Sequence, residues 1–401
     1  MSVESRIEKM VGELKTRASL PLAIELWNGT RYALDDHPTV TLRIPRVESL
    51  RYFFKPNLAK LGEAYVEGHV EVDGPIDVAL RAAESLALHW GEAKKGRLPL
   101  LRGLHTRKRD AEAIRYHYDV SNEFYALWLD RNMVYSCAYF KTGEEDIDTA
   151  QQQKLDHICN KLRLAPGEKF LDIGCGWGAL VIWAAQHYGV EATGITLSKN
   201  QHKLANERIK AAGLEGRCRV QLQDYRDMPG EGVFDKIASV GMFEHVGLHN
   251  LPGYFGIIHR LLKEGGVAIN HGITSISPES RWVPMGGGEF VNKYVFPHGE
   301  VPHLSLVLKE MAAAELEAMD VETLRLHYAK TLWRWSQRLE ANMDAAREYA
   351  GEKRLRIWRA YLAGCAHAFE RRWVSVHQVL ATKARDPRAR PLPWTRDWMY
   401  R

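Results

Sequence analysis

The chain has 401 residues, 45% of them hydrophobic and 26% charged. That balance excludes a disordered chain and leaves room for two domains, or for one domain with a large extension. The formal net charge of +5 is a mild basic excess whose distribution matters more than its total.

Five cysteines without a CxxC pair argue against a disulfide framework or a zinc site, so no metal is expected and a reducing cytosol is the simplest setting. The first twenty residues lack the apolar core of a signal peptide, and no run reaches the roughly 18 apolar residues of a membrane span. Any meeting with a membrane is expected from its surface.

Residues 4–17 read as an amphipathic helix with Ile7, Met10, Val11 and Leu14 on one side. Residues 21–92 read as a small α+β module. Its strands are 22–27 and 39–44, with a hairpin signal at Asn28-Gly29, and its helices are 49–61 and 77–89. Between 94 and 109 stand seven Lys or Arg and no acid. This is a solvated basic linker or one that touches anionic headgroups. The expected organisation is an N-terminal α+β domain at 1–92, a basic linker at 93–110, a catalytic domain at 111–382 and a tail at 383–401.

From about 150 the pattern alternates. Helices are expected at 151–162, 179–188, 199–212 and 252–262, and strands at 169–173, 191–195, 219–222, 234–240 and 266–270. Such alternation implies a parallel sheet covered on both faces, with ligands beyond the carboxyl ends of its strands. Residues 300–382 read as mostly helical, broken at Gly351, and the tail as irregular.

The strongest motif is FLDIGCGWG at 170–178. Glycines at every second position let the backbone bend and let a ligand lie against it. A dinucleotide site would use GxGxxG and place an acid at the end of the second strand. Here that strand runs into GITLSKNQ at 194–201, without an acid. The Asp172, Gly174, Gly176 pattern resembles class I methyltransferases, an α/β Rossmann-like fold in which this loop meets the amino-acid part of S-adenosylmethionine. A carboxylate such as Asp172 suits a sulfonium cation. Thr196 and Gln201 either bind the cofactor or cap the helix that follows. Asp224 either accepts from the adenine amino group or forms a turn.

Further segments carry a closer resemblance: YHYDVSN at 116–122, MVYSCAYF at 133–140, TLSKNQ at 196–201, SVGMFEHVG at 239–247 and NKYVFP at 292–297. Over about 110–380 the chain resembles the cyclopropane-fatty-acyl-phospholipid synthases and their mycolic-acid relatives. The resemblance implies methyl transfer from S-adenosylmethionine to a cis double bond of a lipid acyl chain. Ring closure then follows loss of a proton to bound bicarbonate. It implies that Cys137 and Ile273 offer their backbones to the bicarbonate, with Glu244, His271 and Tyr328 around it. It implies that Tyr135, Ser136, Gly174, Gly176, Thr196 and Gln201 line the cofactor. Aromatic residues such as Tyr116, Tyr118, Tyr139 and Phe140 suit a developing cation.

Two departures stand out. Residues 271–273 read His-Gly-Ile where His-Thr-Ile is common, and 281–290 is glycine-rich, as a mobile lid or a reshaped acyl channel would be. The N-terminal extension favours an unsaturated, anionic bilayer phospholipid over a carrier-bound chain. Expected partners follow: peripheral association with the inner face of the membrane from the cytoplasm, no nucleic acid, and a homodimer by analogy. A methyl-branched or methylene product, another lipid, a small-molecule substrate, and an inactive lipid-binding paralogue stay open as alternatives.

Overall fold

The computed structural model describes residues 3–17, 20–90, 121–279, 284–297, 299–383 and 392–400. These fall into two compact units. One takes in the described residues of Met1–Leu98, Trp282–Pro297 and Ser336–His367, the other those of Pro99–Arg281, His298–Trp335 and Ala368–Arg401. The units therefore do not follow the contiguous ranges 1–92 and 111–382, and the expected linker at 93–110 lies outside the described residues.

In the first unit α1 (Val3–Arg17) buries Ile7, Val11 and Leu14. Strands β1 (Leu22–Leu26), β2 (Arg31–Ala33), β3 (Val40–Ile44) and β4 (Glu71–Asp73) form a sheet of order β2-β1-β3-β4. The Asn28-Gly29 turn, with Gly29 at φ 83°, closes an antiparallel β1–β2 pair, while β3 runs parallel to β1. The helix expected at 49–61 is instead a 3-10 turn (Val47–Phe53) followed by α2 (Leu58–Val66). Pro56 has no N–H and disfavours helical geometry at Lys55, which sits at φ 52°. Asn57 then caps α2, accepting from the Lys60 amide at 2.8 Å. Helix α3 (Ile76–Trp90) follows.

Later chain joins this unit through polar anchors. The buried Arg359 guanidinium donates to the Tyr65 hydroxyl (3.1 Å), the Gly74 carbonyl (2.7 Å) and the Glu340 carboxylate (2.9 Å). Arg356 donates to Glu71 at 2.8 Å. The glycine-rich segment, as far as it is described, runs into the helix Gly287–Tyr294, whose Phe290 ring covers Gly62. The Tyr294 hydroxyl donates to Glu67 at 3.1 Å.

The second unit holds a seven-stranded sheet of order β10-β11-β9-β8-β5-β6-β7. Strands β5 (Lys169–Ile173), β6 (Glu191–Thr196), β7 (Cys218–Leu222), β8 (Phe234–Val240) and β9 (Leu262–Ser275) are parallel. Strands β10 (Glu317–Thr323) and β11 (Val374–Thr382) complete one edge antiparallel. Residues 300–382 are mostly helical as expected, in Leu304–Ala313, Arg325–Ala341 and Met343–Glu370 with a break at Gly351, but these two strands were not read from the sequence: β11 is rich in β-branched residues and buried on both faces between its two neighbours.

Helices α4 (Asn122–Ala126), α5 (Ile147–Leu162), α6 (Ala179–Tyr188), α7 (Lys199–Ala211) and α8 (Leu251–Leu261) belong to this unit. Leu155, Ile158, Val181 and Ala184 from α5 and α6 pack with Phe170 and Val220, while Phe255 and Ile258 of α8 pack with Leu171 and Ile237. Because β5 lies between β6 and β8, the strand order reverses there, and a crevice opens beyond their carboxyl ends. The tail is not irregular throughout. Asp397–Tyr400 forms a 3-10 turn, and Met399 is buried in the core of α5 and α6.

Candidate active site

The loop after β5 is shaped by glycine. Gly174, Gly176 and Gly178 have φ of 82°, 55° and 82°, conformations that disfavour a side chain. A Cβ at Gly174 would meet Met242 at 2.8 Å, whereas Gly176 faces open space. The amides of Gly174 and Cys175 both donate to the Ile195 carbonyl at 3.0 Å, which pins the loop to β6. At the end of β6 the Thr196 hydroxyl donates to Gln201 Oε1 at 2.8 Å. Ser198 caps α7, accepting from the Gln201 amide. Asp224, past β7, turns the chain and is forked by Arg226 at 2.9 and 2.7 Å.

Asp172 is buried, and its Oδ1 has no partner among the described residues. Burial pushes its carboxyl up to about 7, against the pull of Lys154. Lys154 is itself buried on α5, and burial pushes it down to about 8. Its ammonium donates to the Ser136 hydroxyl at 2.9 Å, and Gln151, one turn earlier, donates to the Ser136 carbonyl at 2.9 Å. The Tyr135 ring lies 5.5 Å from both Trp128 and Trp335, and Trp177 of the glycine loop lies 5.1 Å from Tyr125. A buried carboxylate with a free oxygen, beside backbone opened by glycine, fits a cationic amino-acid ligand.

A second polar set lies past β8. Glu244 occupies the 3-10 turn Phe243–His245. Its Oε1 accepts from the Ile273 amide at 2.7 Å, its Oε2 has no partner among the described residues, and burial pushes it up to about 7. His271 on β9 is 2% exposed and pairs in register with Val240. Its Nδ1 stands 3.1 Å from Gln378 Nε2, which can only donate, so the imidazole proton is assigned to Nε2. Burial pushes the ring well below 6.5, and the neutral Nε2–H has no acceptor among the described residues.

Cys137 and Tyr328 join this set through backbone. The Leu324 carbonyl accepts from the Cys137 thiol at 3.8 Å and from the Tyr328 amide at 2.9 Å. The Leu324 amide donates to Val376, which pairs in register with Ile273. Burial pushes the Cys137 thiol far up, so it is no thiolate nucleophile. The Tyr328 ring lies 4.7 Å from Phe369. Tyr139 stacks between His157 (4.2 Å) and His327 (4.9 Å), and Phe140 is buried. Tyr116 and Tyr118 lie outside the described residues.

Sequence reasoning missed Lys154, Gln151 and Gln378. A signal existed for the first two: Gln151, Lys154, His157 and Lys161 recur at spacings of three or four residues on α5, and all four are buried. Gln378 was hidden by the helical reading of β11. The structure also accounts for Gly272. A Cβ there would meet Phe243 at 1.7 Å, so the Phe243 ring fills the space of a threonine side chain.

Residues 105–379 match the family described as mycolic acid cyclopropane synthetase, and residues 10–87 match a domain of unknown function. The chain is 49% identical to a probable fatty acid methyltransferase of Pseudomonas putida, over 95% of this chain and 97% of that one. It is 33% identical to the cyclopropane-fatty-acyl-phospholipid synthase of Escherichia coli strain K12, over 90% and 93%. Among solved structures it is similar to the mycolic acid cyclopropane synthase CmaA1 complexed with SAH and CTAB. The TM-score is 0.64 and the identity 34%, over 68% of this chain and 97% of that one.

Proposed function

The chain belongs to the mycolic acid cyclopropane synthetase family, a group of S-adenosylmethionine-dependent methyltransferases, and from that premise we propose that it cyclopropanates the cis-unsaturated acyl chains of membrane phospholipids. S-adenosylmethionine, when bound, supplies an electrophilic methyl group. Asp172 Oδ1 and the glycine loop would hold its amino-acid part, with Tyr135, Ser136, Thr196 and Gln201 alongside.

The observation that carries the reading is the pair of buried atoms Glu244 Oε2 and His271 Nε2, neither with a partner among the described residues. One is an acceptor or, when protonated, a donor, and the other a fixed donor. They suit a small oxyanion such as bicarbonate, a base matched to the proton lost in ring closure. The Cys137 amide, without an acceptor among the described residues, supports the same placement. The Ile273 amide is engaged by Glu244, so in this reading it orients the carboxyl that holds the ion. The aromatic walls of Tyr135, Trp128 and Trp335 exclude water from a weakly nucleophilic alkene and offer π-faces to a cation.

The test incubates the protein with vesicles of cis-unsaturated anionic phospholipid and methyl-labelled S-adenosylmethionine, then examines the released fatty acids by mass spectrometry and proton NMR. Upfield ring protons with loss of vinyl protons are expected. A labelled methyl branch or retained unsaturation would reject ring closure while keeping lipid methylation. The name of the Pseudomonas putida relative keeps that second reading in play.

A further inference from the structure

Arg46, the N-cap, and Arg51, in the last turn, flank the 3-10 turn Val47–Phe53 of the first unit, whose own acid is the exposed Glu48; Arg46 donates to the Gly68 carbonyl at 3.4 Å and Arg51 to the Tyr52 hydroxyl at 3.1 Å. Arg46 and Arg51 converge on one imidazole: a terminal nitrogen of Arg46 stands 3.4 Å from His69 Nδ1, and one of Arg51 stands 3.4 Å from His69 Nε2. The Ser49 hydroxyl also faces Nδ1, at 3.5 Å. A neutral imidazole has one accepting nitrogen, and a guanidinium has only donors. One guanidinium therefore faces an N–H, and protonating the ring would bring three cations together.

Among the described residues no carboxylate pairs with either guanidinium. The acids that act on His69 from α2 and its C-cap, Glu63 and Glu67, are engaged by Lys293 (2.9 Å) and Lys353 (2.9 Å). The same stretch exposes Lys55 and Lys60, together with Phe54 at 59% and Val47 at 44%. Leu50 and Phe53 of the turn line an apolar crevice with Leu14 and Leu42, which anchors the turn from below.

We propose that Arg46, Arg51 and His69 form a site for the phosphodiester headgroup of an anionic membrane lipid, with Phe54 and Val47 entering the interface beside it. A phosphodiester is an acceptor for both guanidiniums and removes the donor-to-donor contact at His69. Exposed Phe54 and Val47 next to it favour a bilayer surface over a free anion. The proposal rests on the reading of a membrane-lipid substrate and adds the docking surface.

The experiment uses the full chain and co-sedimentation with phosphatidylglycerol-containing vesicles and with pure phosphatidylcholine vesicles. Wild type should bind the anionic vesicles, and R46Q/R51Q should bind at least about 10-fold more weakly, since each basic residue at such a surface is worth about a factor of 5. F54S should weaken binding in high salt as well. The control R31Q/R43Q removes equal charge from the sheet of the same unit and should bind as wild type. The His69 ring should shift in NMR on adding anionic vesicles.

Unchanged binding by R46Q/R51Q would overturn the site, as would equal weakening by the control. Inorganic phosphate that shifts His69 as much as vesicles of equal phosphate content would assign the cluster to a soluble anion and overturn the membrane reading. Methyl transfer to detergent-dispersed unsaturated lipid separates the two proposals. Its presence in R46Q/R51Q shows an intact fold, and its absence in wild type would sink the enzymatic reading while the vesicle comparison still decides the site.

Discussion

At the residue scale, the candidate site presents buried polar atoms that lack a partner among the described residues. Glu244 spends one oxygen on the Ile273 amide, and the other has no partner among the described residues. Glu244→Gln retains the first contact and removes the carboxyl, so turnover should fall about 100-fold or more, with S-adenosylhomocysteine affinity within about twofold of wild type. Steady-state kinetics and calorimetry on one preparation check this. An equal loss of cofactor affinity would show that Glu244 acts on the whole crevice.

Asp172 yields a pH prediction. Its folded pKa is raised to about 7, so it contributes stability below its unfolded value near 4 that is lost as pH rises through 7. The free enzyme therefore resists its ionisation, and a cationic ligand favours it. S-adenosylmethionine and S-adenosylhomocysteine, which share the amino-acid ammonium, should both bind more tightly at pH 8 than at pH 6. Asp172→Asn should remove that pH dependence. An affinity independent of pH across that range in the wild type would reject a carboxylate partner for the ammonium.

At the element scale, α5 does two jobs. One side packs Leu155, Ile158 and Leu162 into the core, and the other lays Gln151, Lys154, His157 and Lys161 along a buried polar line. Lys161 is fully buried and donates to Glu322 at 2.6 Å and Asp320 at 3.3 Å, both on β10. His157 bonds Glu322 at 2.7 Å and faces the Met399 carbonyl at 3.1 Å, which ties the C-terminal turn to the same helix. Lys161→Met leaves two part-buried carboxylates short of a cation and should cost about 3–5 kcal/mol, read as a lower urea midpoint at unchanged m-value. A loss below about 1 kcal/mol would mean that Arg396, also paired with Asp320 at 2.6 Å, carries the charge balance.

At the scale of the whole molecule, the first unit is assembled from distant stretches of chain. Arg359 bonds Tyr65, Gly74 and Glu340 and is held strongly basic by Glu340. Arg359→Met should destabilise that unit by about 3–5 kcal/mol. Hydrogen exchange should rise over 58–90 and 336–367, with cofactor affinity unchanged. Uniform exchange throughout the chain would show that the two units unfold as one.

The sequence by itself determined the elements that local rules control. The glycine loop at 174–178, the body of α5 and the alternation from β5 to β8 were legible, because turn geometry and periodicity act within a few residues, whereas the first turn of α5, from Ile147 after the Asp146 cap, was not read. Asp172 could be named as a candidate from its contiguous glycine motif, and Glu244 and His271 from the family resemblance. Only the tertiary structure decided the rest. Strand β11 is a strand because β9 and β10 flank it, and its Gln378 sets the proton on His271 from 107 residues away. Lys154 reads as an ordinary helical lysine until burial beside Ser136 and Asp172 gives it a partner. The described residues of 282–297 belong with the first unit because Phe290 and Tyr294 meet Gly62 and Glu67, and 336–367 because Arg356 and Arg359 find acceptors there, and those long-range contacts leave no mark in local sequence.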